Sequence, residues 1–177
     1  MLTEPLSPMR HAALLAFMDR PDQSFCFCRF WYFAGDSEAW LACDSSANRA
    51  ALARDLDADN VWGAVAVEGS EIVGWLRLAR SAEVPKLGDP TPDAASVLCM
   101  SVAVERRSEG VARALLRAAI DAARAAGCVE LRAYPRIGEG LDAGAVWTGP
   151  AALYASEGFV EVGRGERRLT CALALTR

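Results

Sequence analysis

The segment Arg107-Ser108-Glu109-Gly110-Val111-Ala112 has the composition of a phosphate-binding turn that opens a helix. It follows a nearly continuous apolar run, residues 97–104, and precedes an amphipathic stretch, residues 111–126. The first turn of a helix has backbone N–H groups without partners and the positive end of the macrodipole, which together suit a phosphate. Gly110 lets the backbone approach a ligand closely, and Arg107 adds a positive charge. The chemistry indicated is the binding of a diphosphate.

Two other phosphate-binding motifs do not fit this turn. A P-loop requires Gly-Lys-Ser/Thr, and the turn contains no lysine. A dinucleotide fingerprint requires Gly-x-Gly-x-x-Gly within a βαβ unit, whereas the turn has Gly110 alone and follows a predicted hairpin. The later Gly138-Glu139-Gly140 is followed by Leu141-Asp142-Ala143, so it does not complete the fingerprint either.

A second signature accompanies the turn: Leu153-Tyr154 on a short late helix, followed by Gly158-Phe159. Together with the strand end Val102-Ala103-Val104 and the turn, it resembles the motifs of the GNAT superfamily of N-acetyltransferases. The resemblance covers about residues 61–175. The whole chain is also similar to a bacterial subgroup with a Cys-aromatic-Cys segment near its N-terminus, here Cys26-Phe27-Cys28.

The chain departs from the family pattern at two places. Val104 stands where the family usually has proline, and Ser108 and Glu109 stand where it often has glycine and a basic residue. Glu109 brings a negative charge near the expected diphosphate. If its carboxylate points to solvent, the backbone donors still suffice; if it points inward, we expect weaker cofactor binding.

The resemblance implies a fold, a cofactor and a reaction. The fold is a single-domain α/β structure with a mixed, mostly antiparallel central sheet flanked by helices. Residues 1–60 would form a variable helical region on the acceptor side, and residues 61–175 the acyl-CoA-binding core. The reaction is transfer of an acetyl group from acetyl-CoA, the co-substrate, to a small-molecule amine or a peptide amino group by direct attack in a ternary complex. Strand-mediated homodimers are common in the family, and a non-catalytic acyl-CoA sensor or partner protein is the alternative function.

The resemblance also implies roles for individual residues. The strand edge near Met100 and Val102 would pair with the pantetheine arm, and Tyr154 would protonate the departing thiolate as general acid. Our expected general base is Glu83, in the loop before the central strand. Other candidates for the base are Asp93, Glu105, Glu130 or a chain of water molecules. The residues expected to contact the cofactor are Met100, Val102, Val104, Arg107, Ser108, Glu109, Gly110, Val111, Ala112 and Thr148.

Hydrophobic periodicity predicts the elements that position these residues. Ser7-Pro8 favours a helix start, Glu68-Gly69-Ser70 favours a hairpin turn, and Gly127 favours a helix end. The segment 25–33 reads either as a strand or as a buried helical turn. The predicted helices are residues 11–20, 47–56, 111–126 and 150–156, and the predicted strands are residues 61–67, 72–79, 97–104, 129–134, 158–162 and 168–175.

The composition fits one folded domain. The chain has 177 residues, of which 53% are hydrophobic, and no apolar run approaches the ~20 residues that a membrane span needs. The N-terminal residues show no signal-peptide pattern, so a cytoplasmic location without a membrane partner is expected. The formal net charge is -4 without a block of like charges, which argues against a nucleic-acid partner.

The sulfur, imidazole and aromatic side chains leave alternatives open. His11 is the single histidine and lies on a predicted N-terminal helix, where a structural role is more common than a catalytic one; one histidine also excludes most histidine metal sites. Cys26, Cys28 and Cys43 lack a closing pair at zinc-site spacing, so no metal is expected, although a zinc- or redox-responsive protein is a third hypothesis.

An aromatic group would form core and one wall of an acceptor pocket that suits a cationic amine or an apolar substrate, unless its role is purely structural. Its members are Phe25, Phe27, Phe30, Trp31 and Phe33.

Overall fold

The computed structural model describes residues 1–23, 26–88, 91–141 and 146–175. Within these ranges, one seven-stranded sheet has the order β1-β2-β3-β4-β5-β7-β6. All neighbouring strands are antiparallel except β4 and β5, which are parallel. This confirms the predicted mixed, mostly antiparallel sheet. The strands are β1 Leu2–Pro5, β2 Trp62–Glu68, β3 Glu71–Arg80, β4 Ala94–Val102, β5 Glu130–Ala133, β6 Val160–Arg164 and β7 Leu169–Ala174.

Five helices flank the sheet in the described residues: α1 His11–Met18, α2 Ser37–Leu41, α3 Ser45–Asp57, α4 Val111–Ala125 and α5 Ala151–Ser156. The side chain of Ser37 lies outside the description. Strand β1 and helix α2 were not predicted, because β1 is a short, half-exposed edge strand that contains Glu4 and Pro5 and α2 has only five residues. Residues 24 and 25 lie outside the described ranges, and the rest of the ambiguous segment 25–33 contains a single 3₁₀ turn, Phe30–Tyr32.

Strand β4 is longer than its parallel neighbour β5. The two strands pair only from Ala94 to Val97. Strand β5 then ends before Tyr134-Pro135, where proline supplies no N–H and restricts the residue before it. Strand β4 continues to Val102, so its edge from Leu98 onward has no strand partner on the β5 side among the residues that the structure describes. The predicted strand 97–104 is therefore shifted: Val104 lies in a 3₁₀ turn after β4.

Helix α4 packs closely against the sheet. A Cβ atom on Gly74 of β3 would lie only 2.9 Å from Val111 Cγ1, so the glycine permits the close approach of the helix. Arg80 donates from Nη2 to the carbonyl of Ala126 at 2.7 Å and so caps the C-terminal end of the helix. In the described ranges, no helix combines the length and apolar character needed to span a membrane. The buried face of α4 consists of Val111, Leu115, Leu116, Ala119, Ile120 and Ala123.

Candidate functional site

The turn between β4 and α4 has the backbone conformation of an open anion site. Ser108 and Gly110 both have left-handed φ angles, 64° and 84°, and Gly110 is the N-cap of α4. The intrahelical bonds of α4 begin with Ala114 N–H, which donates to the Gly110 carbonyl at 3.0 Å. The preceding amides of the first turn therefore have no carbonyl partner within the helix and can bind an anion. A Cβ atom on Gly110 would meet nothing within 4 Å, so the turn is open on that side.

Two cavities run from this turn along the free edge of β4. The first has a volume of about 260 Å³ and is lined by the turn, including Ser108 and Gly110, and by Leu153 of α5. The second, of about 280 Å³, is lined by Met100 of β4 and by Trp147. Both include Val102, Arg107, Ala112 and Pro150, so they form one continuous channel. We call it the β4–α4 groove.

Glu109, the negative residue of the turn, is turned toward a neighbouring arginine. Its carboxylate lies 3.4 Å from Arg106 Nη1, and Arg106 also pairs with Glu68 at the end of β2. Glu109 is exposed and does not line the groove cavities, whereas Arg106 and Arg107 do. Of the two orientations considered from the sequence, the structure has the one in which this carboxylate leaves the anion site free.

The segment after α1 covers the end of β4. Asp22 lines the groove and accepts a hydrogen bond from Val104 N–H at 3.2 Å, while Arg20 donates to Asp22 at 3.0 Å. Burial alone would raise the pKa of Asp22, but the hydrogen bonds from Arg20 and Val104 outweigh it, and the pKa is lowered. Arg20 also donates to Glu105, at 2.7 Å and 2.8 Å. The backbone N–H of Val104 is therefore engaged by Asp22 within the chain.

The free edge of β4 is partly occupied by side chains and backbone from elsewhere in the chain. Met100 N–H donates to the carbonyl of Trp147 at 2.7 Å. Trp31 Nε1 donates to the carbonyl of Leu98 at 2.7 Å. At the other end of the edge, Arg107 Nε lies 3.3 Å from the carbonyl of Val102. An arm that paired with Met100 would therefore have to displace Trp147 from this position.

Tyr154 and Thr148 lie behind the groove wall. Both are fully buried, and the Tyr154 hydroxyl donates to the Thr148 carbonyl at 2.5 Å. Burial raises the pKa of Tyr154 strongly. A Cβ atom on Gly149, which lines the groove, would lie 2.8 Å from the Tyr154 hydroxyl, so the phenol packs directly against this glycine. Thr148 Oγ1 donates to the Tyr134 carbonyl at 2.9 Å and is not exposed to the groove.

Glu83 lies in a 3₁₀ turn, Ser81–Glu83, between β3 and β4. It is exposed, and its charge acts on Tyr32, whose pKa is raised mainly by burial. The structure has Glu83 within electrostatic range of the Tyr32 phenol, in the connection that leads to β4. It does not bring Glu83 into the groove lining described above.

Four rings pack where β4 and β5 separate, and we call them the aromatic cluster: Phe30, Trp31, Tyr134 and Trp147. The Trp147 ring lies 5.3 Å from Phe30 and 5.9 Å from Trp31. Cations of the chain contact these rings: Arg168 Cζ lies 4.9 Å from the Trp147 centroid, and Lys86 Nζ lies 4.3 Å from that of Phe30. Phe25 of the predicted aromatic group lies outside the described residues.

Cys26 and Cys28 are buried thiols. Trp75 Nε1 donates to Cys28 Sγ at 3.3 Å. Phe27 and Cys28 have left-handed φ angles of 42° and 57°, which marks a tight turn packed against the sheet. In the part of the chain that the structure describes, no group of three or more His, Cys, Asp or Glu side chains could hold a metal ion.

The structure brings most of the predicted cofactor contacts together in the β4–α4 groove: Met100, Val102, Arg107, Ser108, Gly110, Val111 and Ala112. Four other predicted residues have different surroundings. Val104 and Glu109 face Asp22 and Arg106, and Thr148 and Tyr154 are buried behind the wall. Sequence reasoning missed Asp22, the wall formed by Trp147 and Gly149, and Arg168. Nothing in the sequence marks Asp22 or Arg168, because their partners Val104 and Tyr134 are distant in the chain.

Comparisons with known proteins agree with this arrangement. The model of the Acetyltransferase (GNAT) family matches residues 22–137. Among curated proteins, no significant sequence match is found. A ribosomal-protein-alanine N-acetyltransferase from Brucella melitensis is a similar structure, with 21% identity, a TM-score of 0.59, and coverage of 99% of this chain and 100% of that chain.

Two further similar structures contain a cofactor. One is a Salmonella typhimurium protein with its cofactor acetyl-CoA, at 16% identity and a TM-score of 0.60, covering 99% of this chain and 94% of that chain. The other is the PaiA N-acetyltransferase from Thermoplasma acidophilum in complex with coenzyme A, at 14% identity and a TM-score of 0.59, covering 98% and 99%. At these identities the structures show a shared fold.

Proposed function

The chain belongs to the GNAT family of acetyltransferases, and from this premise we propose that it transfers an acetyl group from acetyl-CoA to a primary amine. The observation that carries the proposal is the β4–α4 groove, which joins an open helix N-terminus to the free edge of β4. A diphosphate fits the amides of the turn, and an extended arm fits the strand edge. Structures of the same fold with acetyl-CoA or coenzyme A bound support acyl-CoA binding by this fold.

We propose that the chain holds the cofactor mainly through its backbone. The amides from Ser108 to Ala112 would bind the diphosphate, with Arg107 adding a positive charge. Val102, and Met100 once the Trp147 carbonyl has moved away, would bind the pantetheine arm as an added strand. Glu109 takes no part in this binding, because it pairs with Arg106.

The proposed chemistry is direct attack of the amine on the thioester carbonyl carbon. A C–N bond forms, the C–S bond breaks, and the electron pair leaves on sulfur. Tyr154 is the proposed proton donor to that thiolate, and its hydroxyl lies under Gly149, which has no side chain to block it. Glu83 is the proposed acceptor of the amine proton, because it is an exposed carboxylate in the connection between β3 and β4. Holding both reactants in one geometry supplies a large part of the rate.

An acyl-CoA sensor without turnover is the second candidate function. Two observations favour it. Met100 N–H already donates a hydrogen bond to the Trp147 carbonyl, and the Tyr154 hydroxyl donates one to the Thr148 carbonyl. The two functions differ in whether free coenzyme A accumulates when an amine is present.

The test is a thiol-release assay with acetyl-CoA and a panel of primary amines. Amine-dependent release of coenzyme A with formation of an N-acetyl product is the result expected of the transferase. The variant that tests the proposed base is Glu83→Gln, which should lower kcat/KM while the Kd for acetyl-CoA stays the same. Tight acetyl-CoA binding without release for any amine would contradict the transferase and support the sensor.

A further inference from the structure

The acceptor must reach the cofactor from the aromatic cluster. In the proposed complex the diphosphate lies at the turn near Gly110 and the acetyl end of the arm lies near Met100, at the far end of the groove. An attacking amine has to come from beyond Met100, because the arm fills the groove on the other side. The Leu98 carbonyl lies about 7 Å further along β4. Trp31 covers it.

The rings at this end already hold cations of the chain. The guanidinium of Arg168 lies 4.9 Å from the Trp147 centroid and 5.4 Å from that of Trp31. Lys86 lies over Phe30. A positively charged acceptor held by these rings would meet two cations of the protein, which is unfavourable. The positive charge around these rings therefore favours an acceptor that also carries a negative group.

Arg168 is a half-buried cation without a carboxylate partner among the described residues. Its Nη1 atom donates to the Tyr134 carbonyl at 3.0 Å and lies 3.3 Å from Thr148 Oγ1. Burial, and secondly the charge of Arg136, lowers the pKa of Arg168 to about 10. Neither arginine has an ion pair in the described ranges.

Another pair of arginines near the same rings shows the contrast. Arg29 and Arg77 both lie against the ring of Tyr32. Asp55 pairs with Arg29 and lies 3.6 Å from Arg77 Nη2, so each of these two guanidinium groups has a carboxylate neighbour, which they share. Arg168 has only neutral oxygen partners, and a partly buried cation is costly unless it is paired. The hydrogen bonds of Arg168 use Nη1, so Nε and Nη2 are available to an anion.

We infer that the acceptor amine carries a carboxylate and that Arg168 binds this carboxylate. The inference rests on the proposed function, since it concerns the second substrate of the same reaction. A guanidinium can hold a carboxylate through two parallel N–H···O bonds, which fixes both the position and the direction of the substrate. The surrounding positive charge also favours the neutral, nucleophilic form of the amine. The acceptor class is therefore an amino acid or a similar amine with an acid group.

The experiment compares matched acceptors that differ only in charge. The probes are the standard L-amino acids, their α-carboxamides and the polyamine spermidine, each with acetyl-CoA in the thiol-release assay. The variants are Arg168→Gln, Arg168→Lys and the control Arg164→Gln. Arg168→Lys keeps the positive charge but loses the paired N–H donors of the guanidinium. Arg164 is exposed on β6 and pairs with Glu161 at 2.7 Å, so its loss should not change acceptor choice.

We expect at least one free amino acid to react with a kcat/KM about ten-fold or more above that of its carboxamide. Arg168→Gln should raise KM for the free acid by about 10- to 100-fold, Arg168→Lys should restore part of this loss, and the value for the carboxamide should stay within about three-fold.

Three results would overturn the inference: a preference for carboxamides or spermidine, an equal loss for acid and carboxamide in Arg168→Gln, or acetyl-CoA binding without acetylation of any free acid. A protein that does not bind acetyl-CoA at all would contradict the proposed function instead.

Discussion

Arg107 is the residue whose charge the proposed cofactor site uses most directly. It lines both cavities of the β4–α4 groove, it is exposed, and it has no carboxylate partner among the described residues. We expect Arg107→Gln to weaken acetyl-CoA binding about ten-fold, because a charge-assisted contact to phosphate is lost. The loss should shrink at high salt, which screens exposed charges. Calorimetry at two ionic strengths measures both effects.

Arg117→Gln is the matched control for Arg107. Arg117 lies on the exposed side of α4, where Glu157 accepts its Nε hydrogen bond at 2.8 Å, and it does not line the two cavities of the β4–α4 groove. Its loss should leave acetyl-CoA affinity unchanged. Equal weakening in the two variants would show that α4 attracts the cofactor only through its overall charge, against a specific role for Arg107.

Tyr154 permits a separate test of the chemical step. Tyr154→Phe removes only the hydroxyl, and the ring can keep its edge-to-face contact with Phe159, whose centroid is 5.1 Å away. If the hydroxyl protonates the leaving thiolate, kcat should fall by about 10²-fold or more while acetyl-CoA affinity is retained. An unchanged kcat with lower thermal stability would assign the hydroxyl to packing, through its bond to the Thr148 carbonyl.

The residues of the turn could be predicted from the sequence because their function depends on local backbone. A glycine with φ of 84° at the start of a helix leaves a clear sequence pattern. Asp22 and Arg168 leave none, because their partners Val104 and Tyr134 are far away in the chain. Such contacts depend on how the elements come together, and periodicity carries no information about that.

At the level of elements, the predictions were best where periodicity was strong. Helix α4 and the hairpin β2–β3 were predicted to within about one residue at each end. The short β1 and α2 were missed, since four or five residues give no measurable period. The early end of β5, which opens the groove, is consistent with Pro135 in the sequence. That β4 is left with an unpaired edge could be seen only from the register in which β4 pairs with β5.

Gly74 links element packing to cofactor binding. Gly74→Ala would place a Cβ atom 2.9 Å from Val111 Cγ1 and 3.0 Å from Leu115 Cδ1, so α4 must shift outward. We expect a loss of about 1–3 kcal/mol in the free energy of unfolding. Acetyl-CoA binding should also weaken, because the first turn of α4 carries the proposed anion site. Thermal or chemical denaturation and calorimetry measure the two effects.

Gly69→Ala serves as the control for Gly74. Gly69 has φ of 58° in the β2–β3 turn, and an added Cβ atom would meet nothing within 4 Å. Its replacement should therefore cost stability through backbone strain while leaving acetyl-CoA affinity intact. If both variants weaken binding in proportion to their loss of stability, the coupling through α4 is contradicted.

Over the whole molecule, the six cysteines are thiols rather than disulfides, and five of them are buried. Titration with a thiol reagent should therefore modify one thiol, Cys43, quickly in the native protein and all six in denaturant. Rapid native reaction of Cys26 or Cys28 would show that this turn opens readily, and it would revive the redox hypothesis for the segment. Free thiols are also what a reducing compartment favours.

The acceptor end shows why the whole chain is needed to define the site. Residues 1–60 supply Trp31 and Phe30, β4 supplies Leu98, and the segments around β5 and β7 supply Tyr134 and Arg168. This agrees with the expectation that the N-terminal region lies on the acceptor side, which stays a proposal. The charges around the rings could not be predicted from the sequence, because the cations over them, Lys86 and Arg168, come from distant segments.

Calorimetric titration of the wild-type protein and Gly110→Glu with acetyl-CoA tests the central claim most directly. The added carboxylate would stand at the N-cap of α4, where the diphosphate is proposed to bind, although the strain of a side chain at φ of 84° requires a check that the variant is folded. Saturable one-to-one binding by the wild type, abolished in the folded variant, is the predicted result. Undiminished affinity in Gly110→Glu, or no binding by the wild type at millimolar acetyl-CoA, would contradict a cofactor site at this turn.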